Sequence, residues 1–225
     1  FGRTRARDAP PEVPYRVTDR TIRDLNPVAE VVLRLLGMGH GRLEASAVLD
    51  LLSLEPVRAR FGVAPEQLPE LAELVRASGA RWARDADHRV EHGQPADRLC
   101  TWRFGLERLA LGLLMDDDPG IDPFSEVVPE DRAWAVDRAL LGTLLDFTAT
   151  LSEEIDQLSG DHSRAEWARL LQTTLDRLVA PTTPAGFRVR QVREMLDLLA
   201  TDADADPAPL RLDGPALASW LEAHL

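Results

Sequence analysis

The residues of this chain best suited to chemistry are His88, Glu91 and His92, which stand in the order H-x-x-E-H. On a helix that spacing sets two imidazoles one turn apart on one face and brings the carboxylate near a metal-bound water, as in one class of zinc peptidases. The chemistry needs a rigid helix beneath a substrate cleft. Here the motif lies in a polar stretch, 85–98, that holds Gly93 and Pro95 and has no apolar period, so no helix is expected there. A zinc-dependent hydrolase is therefore the rival reading.

Other metal-like runs are weaker. Asp202, Asp204, Asp206 and Asp213 follow the spacing of a calcium loop, but the sixth position of that loop is Pro207 where a sharp turn requires glycine. Asp116, Asp117, Asp118 and Asp122 read as solvated carboxylates in an acidic loop. Gly37, Gly39 and Gly41 follow a helical pattern and not a strand, so they make a connection between helices and not a dinucleotide-binding turn. There is no Gly-x-Ser-x-Gly elbow, and no lysine for a phosphate loop or a Schiff base, because all 26 basic residues are arginine. The residues themselves thus assign no catalytic group, no cofactor and no metal.

Cationic and aromatic residues offer contact chemistry instead. Residues 1–23 hold six arginines against three acids, and Arg16, Arg20 and Arg23 are candidates for phosphate contact, set against the plainer reading of a solvated approach to a helix. Of the five tryptophans, Trp102, Trp134, Trp167 and Trp220 sit at helical spacings that suit core anchors, each worth about 1.5–3 kcal/mol when fully buried. Trp82 is the exception. It lies outside a helix between Arg81 and Arg84, so Arg81 and Trp82 join the candidates for contact with DNA or a partner.

The elements that must position these residues are helices. Residues 43–63 read as two short helices about a corner, with Val48, Leu49, Leu51 and Leu52 as an apolar stripe, Pro56 in the second first turn and Gly62 at its end. Asn26-Pro27 starts a helix through Val28, Val31, Val32, Leu35 and Leu36 that Gly37 closes. Further helices are expected over 69–78 with Gly79 past the end, from the cap Thr101 to about 115, over 131–159, from the Ser163/Glu166 capping box to 180, from Thr183-Pro184 through Phe187, Val192, Met195, Leu196 and Leu199, and after the cap Asp213. Gly105 and Gly112 weaken their helix by about 1 kcal/mol each relative to alanine, which calls for a close neighbour as compensation. The expectation is an all-α fold of about eight helices in a compact bundle: one helical domain over 15–225 behind a flexible lead-in at 1–14, with acidic loops near 116–129 and 201–213.

Composition agrees. With 225 residues, 44% of them hydrophobic, the chain can hold a core without disulfides or metal, and a single cysteine, Cys100, fits a reducing, cytoplasmic compartment. No apolar run reaches the ~20 residues of a membrane helix. The net charge of −12 argues against a nucleic-acid binder that relies on its overall field. Phe1-Gly2 at the start, without methionine, suggests a piece of something larger.

Several segments together carry a family resemblance. Tyr15-Arg-Val-Thr-Asp19, Arg23-Asp-Leu-Asn-Pro27, Ser46-Ala-Val-Leu-Asp-Leu-Leu52, Arg60-Phe-Gly62, Ser78-Gly-Ala-Arg-Trp82 and Thr101-Trp-Arg-Phe-Gly-Leu-Glu-Arg108 resemble the RecC family, the gamma subunits of exodeoxyribonuclease V, RecBCD. The likeness is tight to about Met115 and looser beyond. It departs at Ala83, where the family pattern has glycine. The resemblance implies a helical domain like the 2B-type insertion of superfamily 1 helicases, itself non-catalytic, within an ATP-dependent helicase-nuclease that repairs double-strand breaks by recombination. It also implies RecB-like and RecD-like partner subunits, DNA met through the assembled complex, and no membrane. It carries over no catalytic and no Chi-reading residue. A stand-alone helical adaptor is the third reading.

Overall fold

A computed structural model of the chain describes residues 26–114, 138–180, 186–201 and 210–224. Asn26 caps the first helix, α1 (Pro27–Met38): its Oδ1 accepts from the amides of Val28 and Ala29 at 3.0 and 3.4 Å, and Pro27 has no N–H to leave orphaned. The helix runs on past Gly37 to Met38, against the expected stop. Gly37 has open space around it, and the helical bonding continues until the Gly39 amide bonds to the Leu35 carbonyl. Val28, Val31, Val32, Leu35 and Leu36 are all almost wholly buried, so α1 is apolar over most of its circumference and becomes the central helix.

The expected corner forms as α2 (Ala45–Ser53) and α3 (Glu55–Arg60), joined through extended Leu54 with Pro56 in the first turn of α3. Gly62 follows at φ +67°. Neither helix has a side-chain cap, so burial of Val48, Leu51, Leu52 and Val57 must hold them. A 3₁₀ turn (Pro65–Gln67) leads into α4 (Leu68–Ser78), which ends on left-handed Gly79 at φ +82°. After it come α5 (Ala86–Glu91), α6 (Trp102–Leu114), α7 (Arg138–Gln157), α8 (Arg164–Leu178), α9 (Gly186–Thr201) and α10 (Gly214–His224). The fold is all-α. Two-residue strands, β1 (His162–Ser163) and β2 (Arg211–Leu212), pair antiparallel and tie the start of α8 to the start of α10.

The described residues contain ten α-helices, against about eight expected. α5 is the one hidden from periodicity, because its six residues, ADHRVE, hold no apolar stripe. Phe187, expected on the inner face of α9, is 69% exposed, while Val192, Leu196 and Leu199 of the same helix are fully buried. Of the tryptophans read as anchors, Trp102 and Trp167 are buried and Trp220 packs half-buried on the core. Arg16, Arg20, Arg23, Trp134, the acidic run 116–122 and the aspartates of 202–206 lie outside the described residues.

Two polar clamps cross-link the helices. Asn26 Nδ2 donates to the Arg188 carbonyl at 3.1 Å and to Gln191 Oε1 at 3.2 Å, so the residue that caps α1 also holds α9. Glu154 of α7 is wholly buried, and its carboxylate accepts from the Thr174 hydroxyl at 2.6 Å and from Arg177 Nη1 at 2.5 Å, both on α8. A buried carboxylate without such partners would cost several kcal/mol.

The helix glycines separate cleanly. A Cβ built on Gly105 would lie 2.7 Å from Ser78 Oγ and 2.9 Å from the Ala80 Cβ, which is the close neighbour its position requires; Gly142, within α7, has nothing within 4 Å. Gly105→Ala is therefore expected to destabilise by about 1–3 kcal/mol through overpacking, despite the better helix propensity. Gly142→Ala should stabilise by about 1 kcal/mol. Urea unfolding of both variants checks the pair.

Candidate functional site

Three backbone segments, each joining two helices, meet at one place. The Ala83 amide donates to the Arg42 carbonyl at 2.8 Å, the Ala45 amide to the Arg81 carbonyl at 2.8 Å, and the Arg81 amide to the Cys100 carbonyl at 2.8 Å. The Trp102 amide closes the set on the Ala83 carbonyl at 2.9 Å. Beneath them the Trp102 indole, 5% exposed, donates from Nε1 to the Leu43 carbonyl at 2.9 Å. Among the described residues, the only non-glycine residues with positive φ are Leu43 (54°), Ala83 (61°) and Cys100 (62°), and all three belong to this junction. Left-handed backbone costs an L-residue about 1–2 kcal/mol, so the surrounding bonds must over-determine the turn. The departure from glycine at Ala83 thus falls where glycine would be free of that cost, and the turn forms regardless.

The junction displays Trp82. The Arg89 guanidinium lies 4.9 Å from its ring centroid and the Arg42 guanidinium 5.7 Å, so the cations on the ring come from Arg89 on α5 and Arg42 before α2, not from the sequence neighbours Arg81 and Arg84. Arg84 turns away and pairs with Asp85 at 3.3 Å and with Asp156 of α7. Arg81 is exposed, with its Nη1 on the Ala80 carbonyl at 3.1 Å and no carboxylate in salt-bridge range among the described residues; Arg42 is likewise without one. Arg89 donates to the Leu99 carbonyl at 2.9 Å and approaches Asp97 at 3.9 Å, while its Nε is buried without an acceptor. Val90, the residue after Arg89, and Leu99 are 53% and 51% exposed.

His88 to Glu91 do lie in a helix, α5, with His92 as its C-cap, contrary to the expectation for that stretch. Asp85 supplies the missing start: its Oδ1 accepts from the His88 amide at 3.0 Å. Burial pushes the Asp85 carboxyl up, but the His88 amide and the Arg84 charge outweigh it, and the net shift is downward. The two imidazoles meet edge to face, centroids 4.7 Å apart, with Nε2 atoms at 3.3 Å, and His92 Nε2 lies 3.1 Å from the Gly41 carbonyl. His88 Nδ1 accepts from the Arg84 amide at 3.3 Å, which suits a neutral ring protonated on Nε2; His92 Nε2 can either accept from that proton or donate to the Gly41 carbonyl, and the two bonds do not coexist. A metal ligand at Nε2 needs the opposite tautomer, with Nδ1–H given to an acceptor. Among the described residues no group of three or more His, Cys, Asp and Glu side chains is placed to hold a metal ion.

Fold and surface together define an all-α domain whose most developed feature is a strained, hydrogen-bonded junction presenting a tryptophan among arginines. No described helix is long and apolar enough to cross a membrane. The chain belongs to the RecC family: the family model described as RecBCD enzyme subunit RecC fourth domain matches residues 25–225. It is 34% identical to the RecBCD enzyme subunit RecC of Mycobacterium tuberculosis (strain ATCC 25618 / H37Rv) over 211 residues, 93% of this chain and 19% of that protein. Against the RecC subunit of Escherichia coli (strain K12) the identity is 32% over 214 residues, again 93% and 19%. The chain spans about a fifth of the length of these curated relatives.

Burial, then the neighbouring His92 and Arg84, holds His88 below the usual histidine value of 6.5. The unfolded chain therefore takes up this proton first as the pH falls. His88 contributes stability that is complete above that value and is lost as the pH drops through the lowered folded one. Thermal midpoints at about pH 7.5 and pH 5.5 should differ, and His88→Gln should shrink the difference.

Proposed function

We propose that this chain is a non-catalytic helical accessory domain of a RecC-type subunit, holding RecB-like and RecD-like subunits in a helicase-nuclease that repairs double-strand breaks by recombination. The observation that carries the proposal is the match to the RecC fourth domain over 25–225, combined with a junction whose positive-φ residues gather around exposed Arg42 and Arg81 and half-buried Trp82. Strain of this kind gathers where a surface must be preorganised. The likeness to the 2B-type insertion of superfamily 1 helicases belongs to the same proposal, as does a cytoplasmic location.

On this reading the domain contributes geometry. Arg81 and Trp82 belong to its contact surface, and Arg16, Arg20 and Arg23 supply phosphate contacts to DNA held by the assembled complex.

Removing residues 25–225 from the subunit is expected to abolish co-purification of the RecB-like and RecD-like subunits, or ATP-dependent degradation of duplex ends; a complex that assembles and degrades DNA normally without them would refute the proposal. Arg20→Glu with Arg23→Glu should weaken binding of duplex ends by the complex and flatten its salt dependence by about one to two counterions. Unchanged binding would remove these arginines from the DNA path.

A further inference from the structure

We infer that the junction around Trp82 is a protein-docking surface for a segment that brings carboxylates beside an apolar side chain, supplied by a partner subunit, and that it is not a seat for a nucleic-acid strand. The inference rests on the proposed scaffold role and specifies the chemistry of one of its contacts.

Three observations carry it. The first is the state of the ring. A base-stacking platform needs an open aromatic face, whereas Trp82 is half-buried and already has the guanidiniums of Arg89 and Arg42 at 4.9 and 5.7 Å from its centroid. The second is unspent charge. Arg42 and Arg81 have no carboxylate partner among the described residues, although acids outnumber bases by 38 to 26 in the chain. Two such cations left free on an acidic domain favour a short-range pairing with carboxylates, while the net charge of −12 opposes a long polyanion.

The third observation is apolar. Val90, the residue after Arg89, and Leu99, whose carbonyl accepts from Arg89, are each about half exposed. Tryptophan and arginine with exposed aliphatic groups form the composition of a protein-interface hot spot. The backbone of the surface is also held in advance: the Arg81 and Trp82 amides both donate to the Cys100 carbonyl, at 2.8 and 3.3 Å, so little main-chain ordering remains for binding.

The test uses the complete RecC-type subunit with its RecB-like and RecD-like partners. Arg42→Glu with Arg81→Glu is the main variant, since both side chains are exposed and the fold does not depend on them; Trp82→Ala and Trp82→Phe are read beside it, with Arg190→Glu on α9 as a control. Association of the subunits, measured by sedimentation across a salt series, should weaken about tenfold or more in the double variant and in Trp82→Ala, with Trp82→Phe intermediate and the control unchanged. The double variant should also lose part of the salt dependence of assembly. Binding of a fluorescent oligo-dT strand by the isolated subunit should not change. Assembly within twofold of the parent, or oligo-dT binding lost while assembly persists, overturns the inference, the second result naming a nucleic-acid strand as the occupant. If the parent subunit itself fails to associate with either partner, the scaffold role falls and the inference falls with it.

Discussion

The structure turns on the indole of Trp102. Buried at 5% exposure, it needs an acceptor for its N–H, and the acceptor is the carbonyl of Leu43, a residue with positive φ nearly sixty positions away. That single bond ties the first turn of α6 to the loop before α2. The peptide groups of 42, 81, 83 and 100 then fall within hydrogen-bonding range of one another and of the α6 start, and each finds a partner. Three residues carry left-handed backbone for this, at about 1–2 kcal/mol each, a cost that the hydrogen bonds of the junction offset.

The remaining core follows from α1. A helix with five almost wholly buried aliphatic positions has to be surrounded, and α3, α9 and α10 all pack against it. Asn26 and Glu154 add specificity to a packing that aliphatic side chains alone would leave free to slide. Each polar group has partners on a second helix, so a shift of α9 against α1, or of α8 against α7, would strand a buried donor or carboxylate. At the edge of the junction the histidine pair sets His92, the residue that closes α5, beside the Gly41 carbonyl.

Much of this was legible in the sequence where the cause is local. Asn26 with Pro27, Thr101, the Ser163/Glu166 box and Asp213 cap the helices they were expected to cap, because a cap bond spans only two or three residues. Gly62 and Gly79 end their helices at positive φ for the same reason. The resemblance to RecC was legible as well, and so was the need for a close neighbour at Gly105. Helix α5 was not. Its stability comes from the Asp85 cap and from His88 buried against His92, and neither leaves an apolar period to read.

By itself, then, the sequence determined the class of the fold, the capped and glycine-terminated helices, and the family, since these rest on periodicity, on bonds a few residues long and on residue identities. Only the tertiary structure decided what surrounds Trp82, where Arg84 goes, how His88 and His92 meet and that Phe187 faces outward. Arg84 meets Asp156, 72 residues further on, and Arg42 comes within 5.7 Å of the Trp82 ring centroid from a different loop, and nothing in the linear order of side chains encodes which distant group will arrive.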